Sequence, residues 1–235
     1  MSRVIPDKPE PFVYLETSFI KSEFIELHSC DSFDIRMMYP ELGMDNAEKG
    51  CFVRKEVFER LLKASENLPQ GYRFRIWDTW RPFDLQFELF EKYSEKIIKD
   101  FGLEDQDSDI QHSVIISFVS RPVSDRNVPP VHTTGGAVDL TIIDPEGNEL
   151  DMGSGFDEFS DRTYTTYYEN NGADSQSEMI RENRRMLYYA MIDAGFTNLP
   201  SEWWHYDYGD RFWAFYTEQP AIFKGVFTRG EFNGD

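Results

Sequence analysis

The chain has 235 residues and a formal net charge of −19, and 40% of its residues are hydrophobic and 16% aromatic. Aromatic residues are too frequent for a disordered chain, so the composition predicts a folded protein with a sizeable core. The acidic charge argues against a nucleic-acid-binding protein, which needs a basic surface to displace counterions from phosphates. It argues equally against docking on anionic lipid.

Membrane and export segments are not evident in the sequence. The longest apolar run covers only residues 186–192, whereas a membrane-spanning helix needs about 20 apolar residues. The first twelve residues lack the apolar core of a signal peptide, and we therefore expect a cytoplasmic protein. Cys30 and Cys51 lack metal-site spacing. We expect unpaired thiols in a reducing compartment, with a disulfide as the alternative.

The first half of the chain contains an extended segment, two helical patterns and one strand pattern. Residues 1–12 contain three prolines and are expected to form an extended arm on a single domain that spans residues 1–235. The periodicity of residues 55–68 predicts a helix, and the alternation of residues 73–78 predicts a strand. A second helix is expected to have Pro82 in its first turn and to run to about residue 99.

The second half contains two predicted strands and the clearest helix. Residues 113–119 and 137–143 are rich in β-branched and apolar side chains, which is typical of strands. Residues 178–194 predict a helix that ends at Gly195. Its apolar stripe consists of Met179, Ile180, Met186, Leu187, Ala190, Met191 and Ala194. Because strands and helices are interleaved without a regular βαβ series, the pattern predicts an α+β fold.

Two of the four histidines have neighbours that suggest chemistry. His132 lies seven positions before Asp139, and Gly135 and Gly136 between them allow a tight turn back towards the strand. Asp139 interrupts an apolar strand, where a carboxylate is costly unless it is paired, hydrogen-bonded or bound to a metal. His205 follows Glu202 by three positions, so the two side chains share a face in a helix or turn but not in a regular strand.

Two imidazoles and one carboxylate form a ligand set for catalytic zinc, with the fourth position left to water. Zinc lowers the pKa of that water to about 7, and Glu202 is the candidate base. Arg81 is a candidate for stabilising the developing oxyanion. Each residue also has a structural alternative: a turn histidine for His132, an aromatic-cluster histidine for His205, a solvated loop charge for Glu202, and a salt bridge to Asp78 or Asp84 for Arg81.

Five segments match a known family in the expected order over roughly residues 50–210. They are Trp77-Asp78-x-x-Arg81-Pro82, His132-x-x-Gly135-x-Ala137-x-Asp139, Asp151-Met152-Gly153-x-x-Phe156-Asp157, the helix from Asn183 to Phe196, and Glu202-Trp203-Trp204-His205. Together they resemble the VanX-type D-alanyl-D-alanine dipeptidases of the zinc D,D-peptidase superfamily. The resemblance implies the hedgehog/DD-peptidase fold, with a small mixed or antiparallel sheet flanked by helices.

The resemblance also implies roles for individual residues. One zinc ion per chain is expected to be held by His132, Asp139 and His205. Glu202 is expected to act as general base and then as proton donor to the leaving amine, and Arg81 to stabilise the tetrahedral intermediate. Asp157 is expected to pair with the free amino terminus of the substrate, with a turn carboxylate as the structural alternative.

The sequence departs from the family pattern at two places in the substrate-recognition region. Pro130 stands two residues before the first zinc histidine, where the family usually has a serine that donates a hydrogen bond to the substrate. The segment 35–43 does not preserve the family's N-terminal pattern of a tyrosine followed by Asn-Phe-x-Gly. We therefore expect a complete metal centre with an altered recognition shell.

The sequence thus predicts a zinc-dependent dipeptidase that cleaves D-Ala-D-Ala or a related small dipeptide. One alternative is a D,D- or L,D-carboxypeptidase that trims longer peptidoglycan peptides. A second alternative is a noncatalytic, zinc-stabilised binding module, although zinc structure alone requires neither Glu202 nor Arg81.

Overall fold

The computed structural model describes residues 3–12, 16–119 and 121–232. Its helices are α1 (Met38–Glu41), α2 (Lys55–Ser65), α3 (Phe83–Asp100), α4 (Ser108–Phe118), α5 (Tyr167–Asn170), α6 (Ser175–Ile192) and α7 (Arg211–Thr217). Its strands are β1 (Phe24–Leu27), β2 (Phe33–Ile35), β3 (Cys51–Arg54), β4 (Arg73–Asp78), β5 (Ala137–Ile143), β6 (Thr197–Asn198) and β7 (His205–Asp207). None of the helices within the described ranges is long and apolar enough to cross a membrane.

A five-stranded mixed sheet in the order β2-β4-β5-β7-β6 forms the centre of the fold. Strands β2 and β4 pair in parallel, and the other neighbours pair antiparallel. Strands β1 and β3 form a separate antiparallel pair. The predicted α+β class with a small mixed sheet is therefore confirmed.

The central strand β5 separates the apolar core from a polar site. All seven of its residues are buried, and successive side chains point to opposite faces of the sheet. Val138, Leu140 and Ile142 belong to the main core cluster, together with Leu61 of α2 and Leu187 of α6. The intervening residues of β5, which include Asp139, therefore face the other side.

Strands β4 and β5 have the predicted bounds, and three helices agree with small differences. Helix α2 ends three residues earlier than predicted, and Pro82 immediately precedes α3 instead of lying in its first turn. Helix α6 starts earlier than predicted because the Asp174 side chain caps it by accepting a hydrogen bond from the Ser177 amide. The sequence predicts Met179 in the buried stripe, but it is 51% exposed.

The prediction of a strand over residues 113–119 is wrong, because most of this segment belongs to helix α4. The Asp107 side chain caps that helix by accepting a hydrogen bond from the Asp109 amide. A short apolar run does not by itself distinguish a strand from a helix. Ile115 is buried and Ile116 is 49% exposed, so the segment covers the protein on one side only.

Residues 3–12 contain no helix or strand and lie along α6 and α7. The Tyr189 hydroxyl donates a hydrogen bond to the Val4 carbonyl, and the Tyr216 hydroxyl donates one to the Pro9 carbonyl. Ile5 is buried. The described part of the N-terminal segment is therefore attached to the body of the protein along its length.

Candidate active site

Three side chains meet on the polar face of the sheet. His132 Nε2 lies 3.2 Å from His205 Nδ1 and 3.4 Å from Asp139 Oδ2, and His205 Nδ1 lies 3.0 Å from Asp139 Oδ1. All three residues are buried. Among the described residues, this is the one group of histidine, cysteine or carboxylate side chains whose geometry suits a metal ion.

Strand register and a tight turn explain why these side chains meet. Asp139 on β5 is directly opposite His205 on β7 and Asp78 on β4. Paired residues of antiparallel strands share a face of the sheet. His132 lies in a single 3₁₀ turn just before β5, and Gly135, at φ +75°, reverses the chain after it. The glycine therefore brings the histidine back beside Asp139, as the spacing predicts.

The remaining nitrogen of each imidazole is held by a hydrogen bond. His132 Nδ1 donates to the Thr79 carbonyl at 2.7 Å, and His205 Nε2 donates to Asp207 Oδ1 at 2.9 Å. Each bond fixes the ring orientation, and in a neutral ring it leaves the lone pair of the other nitrogen for the shared centre. Metal-binding histidines are usually oriented in this way by a carbonyl or a carboxylate.

The separations of the donor atoms fit zinc. Tetrahedral zinc with bonds of about 2.0–2.1 Å holds its ligand atoms about 3.3–3.4 Å apart. The two imidazole nitrogens are 3.2 Å apart, and the nearest Asp139 oxygens, Oδ1 for His205 and Oδ2 for His132, lie 3.0 and 3.4 Å from them. Two imidazoles and a carboxylate are also donors that zinc accepts in catalytic sites. His132, Asp139 and His205 therefore could hold one zinc ion with little rearrangement.

Glu202 lies beside this group in a turn rather than in a helix or strand. The His205 amide donates to the Glu202 carbonyl at 3.3 Å, so the two side chains project to the same side. Glu202 Oε2 lies 3.8 Å from His205 Nδ1, and 34% of the side chain is exposed. Burial raises the pKa of Glu202 to about 8, Asp139 and Asp157 act in the same direction, and His205 opposes them. A cation bound at this centre would lower that pKa.

Arg81 both forms a salt bridge and faces the centre, so its two predicted roles are compatible. Its Nη2 lies 2.8 Å from Asp78 Oδ2 and 3.5 Å from Asp139 Oδ2. Nη1 donates to Gln86 Oε1 at 3.0 Å, and Nη2 donates to the Tyr39 hydroxyl at 3.3 Å. The guanidinium is therefore fixed in place before any substrate binds, which favours electrostatic stabilisation.

Asp157 lies at the same end of the site as Arg81. Its Oδ2 accepts a hydrogen bond from Tyr39 at 2.9 Å and another from Tyr93. Its backbone is in the left-handed region at φ +52°, which is uncommon for a residue other than glycine and is often found at functional sites. Burial raises the pKa of Asp157 to about 6, although the two tyrosines oppose the increase.

These residues open into a cleft of about 660 Å³, a size typical of small-molecule sites. Pro130 is part of its lining, so the position that departs from the family pattern does face the cleft. Proline has no side-chain donor to offer there.

Sequence reasoning missed four residues that shape the site. Tyr39 and Tyr93 hold Asp157, and Asp207 holds His205. The sequence predicts Asp78 only as a partner of Arg81, but Asp78 Oδ2 also lies 3.1 Å from His132 Nδ1. Tyr39 belongs to the disturbed N-terminal segment, so that segment still supplies a tyrosine to the site. Of these four residues, Asp207 alone has a cue in the sequence, because it lies two residues after His205 and side chains two apart on a strand share a face.

Comparisons with known proteins identify relatives of this chain. The family model for D-Ala-D-Ala dipeptidases of the M15 peptidases matches residues 42–223. The chain is 31% identical over 197 residues to the D-alanyl-D-alanine dipeptidase of Synechocystis sp., covering 77% of this chain and 79% of that protein. It is 39% identical over 158 residues to the D-alanyl-D-alanine dipeptidase of Escherichia coli, covering 67% and 66%. Among solved structures, a zinc-bound variant of the vancomycin resistance D,D-pentapeptidase VanY aligns with a TM-score of 0.41 and 13% identity, covering 75% of this chain and 85% of that one.

Proposed function

The chain belongs to the M15 peptidase family of D-Ala-D-Ala dipeptidases, and on that premise we propose that it hydrolyses D-Ala-D-Ala or a related small dipeptide with one zinc ion per chain. The observation that supports this best is the meeting of His132, Asp139 and His205 beside Glu202 and Arg81. A noncatalytic zinc module needs neither the base nor the cation, and the family match favours the enzyme.

The side chains divide the reaction between them. His132, Asp139 and His205 would hold the zinc ion, which would supply a Lewis acid for the peptide carbonyl and a nucleophilic water near neutral pH. Glu202 takes the proton from the attacking water and later gives it to the departing amine. Arg81, held by Asp78 and Gln86, stabilises the negative charge that develops on the carbonyl oxygen.

Asp157 supplies a reason for preferring dipeptides. It is a half-buried carboxylate at the Arg81 end of the cleft, and we propose that it pairs with the substrate ammonium. With a pKa of about 6, it is mostly ionised at pH 7. A charge-assisted hydrogen bond to an ammonium is among the stronger polar contacts, and an acylated amino group cannot form it.

Blocking the substrate's amino group separates a dipeptidase from a carboxypeptidase. Comparing kcat/KM for D-Ala-D-Ala and N-acetyl-D-Ala-D-Ala, we expect acetylation to reduce kcat/KM about tenfold to hundredfold, from the lost charged contact. Asp157→Asn should remove most of this difference, whereas the same change at the exposed Asp161 should preserve it. Equal or faster cleavage of the acetylated peptide would instead establish the D,D- or L,D-carboxypeptidase that acts on longer wall peptides.

We also propose that the protein works in the cytoplasm on a small peptide, without nucleic-acid or membrane partners. The state of its cysteines supports this compartment, because Cys30 is exposed, Cys51 is buried and the two are not paired. Burial raises the pKa of Cys51 to about 12, which favours the protonated thiol at neutral pH.

A further inference from the structure

The cleft has two different ends. At one end, Asp157 is held by Tyr39 of α1 and Tyr93 of α3, and Tyr39 also contacts Arg81, which follows β4. At the other end lies the start of α7, which packs against β6. In the sheet order β2-β4-β5-β7-β6, Asp139 on β5 stands between these ends. The metal-binding group therefore separates the two walls.

Arg211 is the first residue of α7 and lines this cleft. Its Nε is buried and has no hydrogen-bond partner, and within the described ranges its guanidinium forms no ion pair. Burial lowers the pKa of Arg211 below its usual value despite opposing effects of Asp210 and Asp207. Buried guanidinium groups are costly unless an anion or acceptor compensates them.

Each of the two nearby carboxylates is engaged through its Oδ1 atom, and neither Oδ2 atom forms a hydrogen bond to Arg211. Asp207 Oδ1 accepts from His205 Nε2, and Asp210 Oδ1 caps α7 by accepting from the amides of Phe212 and Trp213. Neither approaches Arg211 closely enough to form an ion pair. The guanidinium is thus a half-buried cation whose donors remain available to a molecule in the cleft.

We propose that Arg211 binds the C-terminal carboxylate of the substrate, at the end of the cleft opposite Asp157. This inference rests on the proposed function and deepens it, because it explains how a zwitterionic dipeptide is oriented. The ammonium lies at Asp157, the scissile carbonyl lies at the metal-binding group, and the carboxylate lies at Arg211. Guanidinium and carboxylate match in geometry and can form two parallel hydrogen bonds. Pro130, in the same lining, has no donor to contribute.

The test measures binding, so that it does not depend on turnover. Zinc-loaded Glu202→Gln protein is titrated in a calorimeter with D-Ala-D-Ala and with D-Ala-D-Ala amide, which lacks the carboxylate charge. With Arg211 present, we expect the free acid to bind about tenfold or more tightly than the amide, from one charged hydrogen-bonded contact. Adding Arg211→Gln should make the two affinities equal. Adding Arg121→Gln, which removes an exposed cation of the same cleft, should leave the preference intact.

Each contrary result has one meaning. If the acid and the amide bind equally with Arg211 present, or if the preference survives Arg211→Gln, the assignment of Arg211 is overturned. Thermal unfolding of the Arg211→Gln protein shows whether its fold is kept. If the zinc-loaded wild-type protein releases no D-alanine from D-Ala-D-Ala, the proposed function fails, while the acid–amide comparison still decides the role of Arg211.

Discussion

His132 and His205 show how the site depends on residues that bind no substrate. Each ring uses one nitrogen for the centre and the other for an anchor, Thr79 for the first and Asp207 for the second. The hydrogen bond to the anchor favours the tautomer that can bind a metal ion, even in the metal-free protein. A carboxylate anchor also makes the ring a stronger base. Metal affinity is therefore predicted to depend on Asp207 as well as on the three ligands.

Replacement of Asp207 by asparagine tests this dependence. The amide oxygen still accepts from His205 Nε2, but the negative charge is lost, so we expect the zinc dissociation constant to rise about tenfold. Competition with a chromogenic chelator measures it. Asp144→Asn, in the exposed turn beyond β5, is the matched control and should not change the affinity. Unchanged affinity in the Asp207 variant would show that the anchor does not tune the metal centre.

The sequence predicts the residues that meet at the candidate metal centre better than it predicts the residues that support them. Histidines are scarce, and Asp139 interrupts an apolar strand, so both features can be recognised from the sequence alone. The contacts of Tyr39 and Tyr93 with Asp157 join segments more than 60 positions apart, and no spacing rule relates them. The dual position of Arg81, between Asp78 and Asp139, likewise depends on how β4 and β5 pair.

At the scale of elements, long periodic segments are predicted well and short ones are not. Strands β4 and β5 carry clear alternation and have their predicted bounds. Strands β6 and β7 have only two and three residues, too few to display a period. Residues 113–119 are a different error, because their β-branched run predicts a strand, whereas the segment belongs to a helix that Asp107 caps.

Gly135 connects the 3₁₀ turn that contains His132 to strand β5. Substitution of Gly135 tests whether this connection positions His132. Gly135 has φ +75°, and an added Cβ would meet the Phe24 ring. Gly147 has a similar φ of +89° with open space around it. We expect Gly135→Ala to lower the free energy of unfolding by about 1–3 kcal/mol more than Gly147→Ala does. It should also weaken zinc binding, because His132 lies in the displaced turn.

Chemical denaturation of the two variants measures their free energies of unfolding, and competition with a chelator measures their zinc affinities. Equal losses of stability would mean that only the backbone conformation matters at Gly135. Unchanged zinc affinity in Gly135→Ala would mean that the turn does not position His132.

At the scale of the whole molecule, the core and the metal site are on opposite faces of one sheet. The main cluster includes Phe74, Ile76 and Trp204 and does not involve the ligands. The three residues of the metal-binding group instead contact one another, as in the 3.0 Å contact of Asp139 with His205. Stability is therefore expected to come mainly from the core.

The assignment of residues 1–235 to a single domain stays a prediction.

Removal of the metal should separate activity from folding. After chelation we expect hydrolysis to stop while the far-ultraviolet circular dichroism at 25 °C is retained. Free zinc at a thousandfold above its dissociation constant adds about 4 kcal/mol to the stability of the folded state, so the apo protein should melt roughly 10 °C lower. Loss of secondary structure on chelation would instead indicate a structural zinc site.

The most direct test of the account is the release of D-alanine from D-Ala-D-Ala by the zinc-loaded protein, with the Glu202→Gln protein beside it and the zinc content of both measured. We predict turnover in the wild-type protein and a loss of about a hundredfold to ten-thousandfold in the variant, the range for removing a general base. Both proteins should contain one zinc ion per chain. Near-normal turnover in Glu202→Gln, or no turnover in a wild-type protein that holds its zinc, would contradict the proposed mechanism.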